Sequence, residues 1–175
     1  MFNYGDVVDR SNNFATVPFG TGFGLQGVGD VNGDGMVDVI RVGSVPGSAE
    51  ATVFLGSGGK FMPDAGLSTA LKSLVGTAAV DALAIGDLDQ DGRAEVLLGS
   101  GQTVRVLSNV PGTFVEATKL ALDPAQAGPK VTAIGIGKLD GTIDATKLLD
   151  IVVASNSLPD LNGNGTLFLQ AFRGQ

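Results

Sequence analysis

The chain has 175 residues and a formal net charge of -7. This acidic balance would repel a phosphate backbone, so nucleic acid is not expected as a partner. The sequence contains no cysteine and no histidine, which excludes disulfides, thiolate metal sites, histidine-ligated zinc and catalytic groups that need either residue. Each apolar run is shorter than the roughly 18–20 residues that a membrane span requires, so membrane insertion is not expected.

Glycine accounts for 27 of the residues, which is about twice its average share of roughly 7%. Glycine and aspartate separate short apolar runs along the whole chain, and hydrophobic residues make up 43% of it. This composition is sufficient to bury a core. It favours an all-β domain with many short strands and tight turns over a helical domain.

Residues 1–24 contain one candidate strand, RSNNFATVPF, which resembles the stretches that follow GKF and GTF later in the chain. We expect this strand to complete a neighbouring repeat rather than to form a unit of its own. The first ten residues, MFNYGDVVDR, lack the basic and then apolar order of a secretory signal peptide. A signal removed before this point and a position inside a longer chain both stay open.

Residues 25–79 form the first expected repeat. The strand GLQGVG leads into the acidic loop Asp30–Asp38, and the runs MVDVIRVG and ATVFLGSGGKF follow with the alternation and β-branched content of strands. We also expect a short helix in the connection to the next repeat. Helical spacing is shared there by Leu67, Ala70, Leu71 and Leu74.

The pattern recurs in residues 80–128 and, in degenerate form, in residues 129–175. Asp87 takes the place of Asp30 in the second copy, and Lys138 takes it in the third, where extra residues precede LLDIVVAS. Each unit therefore has about four short antiparallel strands, which is the size of a propeller blade. The third unit stops after TLFLQAFRGQ, without a fourth strand.

Three blades are fewer than the four to eight of a typical closed propeller. Three arrangements stay open from the sequence: an open array of three blades, a six-bladed ring closed between two chains, and a piece of a longer chain. In each case the 175 residues are expected to form a single repeat domain.

The first two acidic loops have the spacing of calcium ligands. Oxygen-bearing side chains occupy positions 1, 3, 5 and 9, glycine at position 6 permits a sharp turn, and position 7 offers its main-chain carbonyl. Zinc and copper are poor candidates without nitrogen or sulfur ligands. We predict two calcium ions per chain. The first is held by Asp30, Asn32, Asp34, the carbonyl of Met36 and Asp38, and the second by Asp87, Asp89, Asp91, the carbonyl of Arg93 and Glu95.

Two other acidic stretches are not expected to bind metal. The third copy has Lys138 at position 1 and lacks the Asp-Gly pair of the other loops. A later cluster, Asp160, Asn162 and Asn164, has suitable spacing, but Phe168 at its position 9 cannot be a ligand, and an Asn-Gly turn between strands is favoured. Asp-Gly-rich loops are also good turns without metal. The same five-ligand spacing in two copies nevertheless favours calcium.

The flanking residues distinguish between families of calcium loops. An EF-hand or dockerin loop needs an acid at position 12 and then a helix, whereas Arg41 and Leu98 stand there and glycines follow. The stretches VGDVNGDGMVDVI, IGDLDQDGRAEVLL and the weaker IGKLDG with LLDIVVAS resemble the FG-GAP or VCBS-type repeat of integrin alpha chains and many secreted bacterial proteins. The resemblance implies β-propeller blades in which calcium clamps the loop between two strands.

We therefore expect a non-catalytic, calcium-stabilised module at an extracellular or cell-surface location. The expected role is adhesion, scaffolding or self-assembly, through a protein partner or as a homo-oligomer. The alternative is an accessory or catalytic part of a secreted polysaccharide-active enzyme. Paired carboxylates in glycosidases face each other across a cleft rather than follow one another in a loop, so no residue is assigned a catalytic role.

Overall fold

The computed structural model describes residues 24–43, 50–123, 130–139, 149–156 and 166–174. The candidate strand within residues 1–23 and the cluster of Asp160, Asn162 and Asn164 lie outside the described residues. Among the helices in the described ranges, none is both long enough and apolar enough to cross a membrane.

The described strands form three antiparallel sheets, and in each sheet consecutive strands are neighbours. Together they form an open array of propeller-like blades, which confirms the all-β prediction. The first sheet contains β1 (Gly24–Gly29), β2 (Asp38–Gly43), β3 (Ala51–Ser57) and β4 (Lys60–Asp64). The second contains β5 (Ala82–Gly86), β6 (Glu95–Ser100), β7 (Thr103–Val110) and β8 (Thr113–Ala121). The third contains β9 (Lys130–Gly137), β10 (Asp150–Asn156) and β11 (Leu167–Phe172).

The second sheet lies between the other two and is covered on both faces. Val96 and Leu98 of β6 belong to the core shared with the first sheet, whereas Leu97 belongs to the core shared with the third. Strand β6 is therefore buried along nearly its whole length. This explains why its sequence is a continuous apolar run rather than an alternation of apolar and polar residues.

The expected helix in the first connection is present as α1 (Ala65–Val75). It begins where the carboxylate of Asp64 accepts a hydrogen bond from the main-chain N–H of Leu67 at 2.7 Å, an N-cap that satisfies one of the free amides of the first turn. It ends at Gly76, whose φ of 63° suits glycine. Its apolar face is buried in the first core, so α1 is a structural connection.

The first strands of the three sheets lie side by side, and glycines allow their close approach. A Cβ atom on Gly29 of β1 would lie 2.6 Å from Cγ2 of Ile85 on β5. A Cβ on Gly86 of β5 would lie 3.0 Å from Cδ1 of Ile136 on β9. Ile85 and Ile136 therefore fill the space beside Gly29 and Gly86, and a larger residue at either glycine would clash with them.

We predict that Leu71→Ala lowers the free energy of unfolding by about 2–5 kcal/mol, because it leaves a cavity where a side chain is completely buried. Leu139→Ala removes the same atoms from an exposed site and should change stability by less than about 0.5 kcal/mol. Urea unfolding of both variants measures the difference. Equal stabilities would contradict the burial of α1.

Candidate metal centre

The first acidic loop joins β1 to β2 and folds around its own side-chain oxygens. The carboxylate of Asp30 accepts hydrogen bonds from the main-chain N–H groups of Asp34 and Gly35 at 3.2 and 2.7 Å. The amide oxygen of Asn32 accepts from Asp34 at 3.0 Å, and the carboxylate of Asp34 accepts from Met36 at 2.8 Å. These local bonds are the reason why the sequence forms a tight turn here.

The second acidic loop joins β5 to β6 and repeats this network. The carboxylate of Asp87 accepts from the main-chain N–H groups of Asp91 and Gly92 at 3.1 and 2.9 Å. Asp89 accepts from Asp91 at 3.2 Å, and Asp91 accepts from Arg93 at 2.8 Å. The two loops therefore share one conformation at positions 1, 3, 5, 6 and 7.

Glycine at position 6 has the backbone conformation that the sequence suggested, with φ of 80° at Gly35 and 89° at Gly92. Position 4 also has a positive φ, 77° at Gly33 and 62° at Gln90. The positive φ at position 4 was not predicted from the sequence. A side chain such as that of Gln90 is rarely found in this region, so the second loop holds a mildly strained residue next to its acids.

The acid at position 9 is buried in all three loops. In each loop its carboxylate accepts a hydrogen bond from the main-chain N–H of position 2. The donor and acceptor pairs are Val31 and Asp38 at 2.8 Å, Leu88 and Glu95 at 2.7 Å, and Leu139 and Asp150 at 2.7 Å. The third loop therefore keeps this contact despite the lysine at its position 1. Its Asp140 lies outside the described residues.

Burial raises the pKa of both position-9 acids in the first two loops. It raises the pKa of Asp38, and the main-chain N–H groups of Gly56 and Val31 partly oppose the effect. Burial raises the pKa of Glu95 from its ordinary value of 4.5 to about 7, and the carboxylates of the same loop add to the shift. Near neutral pH, Glu95 is therefore divided between its protonated and ionised forms, and a cation beside it would favour the ionised form.

The second loop brings three of its predicted ligands together. Asp87, Asp89 and Glu95 each offer a carboxylate oxygen, and these three oxygens lie within 4.8 Å of one another. Asp91 and the main-chain carbonyl of Arg93 are the other two predicted ligands of this loop. Among the described residues, the acids of the first loop do not form a group of three at this distance. The two loops thus differ in how closely their carboxylates approach.

The loops of neighbouring sheets are joined through main-chain carbonyls. The N–H of Ala94 donates to the carbonyl of Asp30 at 2.7 Å, and the N–H of Leu149 donates to the carbonyl of Leu88 at 2.8 Å. The side-chain amide of Asn109 on β7 donates to the carbonyl of Val31. Asn109 was missed by the sequence analysis, although an Asn among the apolar residues of TVRVLSNV was a usable indication.

We predict that, in metal-free buffer, the protein is more stable at pH 5 than at pH 8. A carboxyl with a raised pKa contributes stability that is fully present below about pH 4.5 and is lost as the pH rises through about 7. For Glu95 the loss is on the order of 3 kcal/mol. Thermal unfolding against pH measures it.

The matched variants are Glu95→Gln and Glu50→Gln, since Glu50 is exposed. Glu95→Gln should reduce the pH dependence between pH 5 and 8, because it removes the buried carboxyl whose pKa is raised to about 7. Glu50→Gln should leave it unchanged. A flat profile for the unaltered protein would show that Glu95 is not buried as described.

The comparisons with known proteins agree with these repeats. Residues 30–98 match the model of the FG-GAP-like repeat family. A search of curated proteins found no match to the chain. The matched segment starts at position 1 of the first loop, includes α1 and the whole second loop, and ends within β6. The match identifies residues 30–98 as similar to an FG-GAP-type repeat segment, which supports the propeller-type repeat in this part of the chain.

Proposed function

We propose that the protein is a calcium-stabilised, extracellular β-propeller-type module with an adhesive, scaffolding or self-assembly role. The observation that carries the calcium proposal is the convergence of Asp87, Asp89 and Glu95. Calcium binds oxygen ligands at about 2.3–2.6 Å, so oxygens on opposite sides of one ion are about 5 Å apart. The separation in the second loop fits one such ion.

The donor set of each loop also suits calcium. Each carboxylate of the two loops has at least one oxygen that accepts no more than one main-chain hydrogen bond, and this oxygen keeps a lone pair for a metal. Asp30, Asn32, Asp34, the carbonyl of Met36 and Asp38 would hold the ion of the first loop. The corresponding five residues of the second loop would hold the other. Their shared hydrogen-bond network supports the same role for both loops.

The ion would supply positive charge where the fold gathers negative charge. Its chemistry there is electrostatic neutralisation, which would lower the pKa of Glu95 and remove the cost of its ionisation. Since the two loops are joined by the bond from Ala94 to Asp30, an ordered second loop also supports the first. A site of modest affinity would be filled where calcium is millimolar, outside cells.

The adhesive or assembly role is supported by the repeat type and by the distribution of the acids. FG-GAP-type repeats form non-catalytic modules as a rule. A cavity of about 240 Å³ lies between the second and third sheets, and the acids that line it are Asp89 and Glu95 of the second loop. Both are among the proposed calcium ligands, and their oxygens lie within 4.8 Å of each other. This is closer than the carboxyl pairs of glycosidases, so the polysaccharide-enzyme alternative gains no support here.

We predict two calcium ions per chain by native mass spectrometry, both lost on chelation, with a lower melting temperature after their loss. Asp87→Asn should weaken binding at the second loop by about tenfold or more, because it removes one of the charges that hold the ion. Isothermal titration calorimetry separates the affinities of the two sites.

Asp150→Asn is the control from the third loop, where an acid is also buried but no calcium is expected. It should destabilise the protein with and without calcium, because an amide cannot accept the bonds from both Leu139 and Gly174. The calcium count should stay at two. The absence of a bound ion at millimolar calcium would contradict the calcium proposal. The loops would then be turns stabilised by hydrogen bonds from their main-chain N–H groups to their side chains.

A further inference from the structure

The strand registers identify equivalent positions in the three sheets. Val28 pairs with Val39 in the first sheet, Ile85 with Val96 in the second, and Ile136 with Ile151 in the third. The side chains on this face of the second and third sheets point towards the preceding sheet, because Ile85 and Val96 belong to the first core and Ile136 and Ile151 to the second. The opposite face of each sheet points towards the following sheet.

The face that points to the following sheet is buried in the first two sheets. Its central residues are Ile40 and Val53 in the first sheet and Leu97 and Val106 in the second, and all four are buried. Val152 and Ala171 hold these places in the third sheet. There Val152 is half-buried and Ala171 is exposed.

Neighbouring positions show the same difference. Ala51 and Val104 are buried at equivalent places of the first two sheets, whereas Leu169 in the third sheet is 66% exposed. Leu167, on the same face, is 64% exposed. This surface, which we call the end face, comprises Ala133, Gly135, Val152, Ala154, Leu167, Leu169 and Ala171. It is the type of surface that a following sheet covers elsewhere in the chain.

The space beside one glycine in each sheet indicates which surface could pack against the end face. Ile85 fills the space beside Gly29, and Ile136 fills the space beside Gly86. At the equivalent Gly137 of the third sheet, a Cβ atom would meet nothing within 4 Å. The side chain equivalent to the two isoleucines in the first sheet is Val28, and it is 62% exposed. Val28, Leu167 and Leu169 are the three most exposed large apolar side chains of the described residues.

We infer that the end face of one chain binds the first sheet of a second copy along β1, where Val28 is exposed although its cross-strand partner Val39 is already buried. Val28 of that copy is then seated beside Gly137. The contact continues the interface already formed twice within the chain. It also removes from water the most exposed apolar side chains. Because the described part of each copy carries one surface of each kind, two copies related by a two-fold axis satisfy both surfaces at once.

Counted over the described residues of two copies, the assembly has six sheets, a number within the range of closed propellers. This contact specifies the self-assembly role of the proposed function, and it rests on that role alone. The end face and the open space beside Gly137 depend on apolar packing and are independent of the metal. The two proposals can therefore fail separately.

The test is the oligomeric state in solution, measured by sedimentation velocity with a calcium count from native mass spectrometry on the same samples. We expect a dimer. Val28→Asp and Leu169→Asp should each weaken dimerisation by at least about a hundredfold, because each places a charge in an apolar contact. Gly137→Val should do the same by filling the open space, and the lone chain has room for it.

Val115→Asp is the matched control, since Val115 is an exposed valine on β8 of the middle sheet. It should remain a dimer. A monomeric unaltered protein, an open-ended polymer, or a Val28→Asp variant that stays dimeric would each overturn the inference. Circular dichroism of the dilute variants shows whether they fold, and retention of two calcium ions by a monomeric variant would separate this result from the calcium proposal. A dimer without bound calcium would contradict the proposed metal and support the contact.

Discussion

The hydrogen bond from position 2 to the position-9 carboxylate is the constraint on which each acidic loop depends. It links the start of the loop to the first residue of the strand that follows, and it holds the position-9 acid in the buried interior. Val31 and Leu88 at position 2 are themselves buried, so the bond lies inside the core rather than on its surface. An unmade bond there would leave a buried main-chain amide without an acceptor and one carboxylate oxygen without its donor, which is costly.

This geometry creates the electrostatic problem that calcium would solve. Burial opposes the ionisation of Asp38 and Glu95, and the exposed acids of each loop repel them further. The third loop keeps the bond from Leu139 to Asp150, and a lysine replaces the acid at its position 1. Fewer carboxylates then surround the buried acid. The position-9 contact is thus a structural feature of all three loops, and the proposed metal binding would depend on the acids added around it.

Sequence alone predicted the features that local chemistry determines. The Asp-Gly spacing located both loops, the alternation located the strands, and the helical spacing around Leu71 located α1. The burial of Glu95 and the role of Asn109 could not be predicted in this way, because both arise from contacts between residues distant in the chain. The positive φ at Gln90 also follows from the loop as a whole rather than from the residue itself.

Position 8 links the loop chemistry to the stacking of the sheets. In the second and third loops the residue before the position-9 acid, Ala94 or Leu149, donates its N–H to a carbonyl of the preceding loop. The acceptor is the position-1 carbonyl of Asp30 in the first loop and the position-2 carbonyl of Leu88 in the second. Each acidic loop is therefore tied to the next through the residue before its buried acid, so the loops and the apolar cores hold neighbouring sheets in the same arrangement.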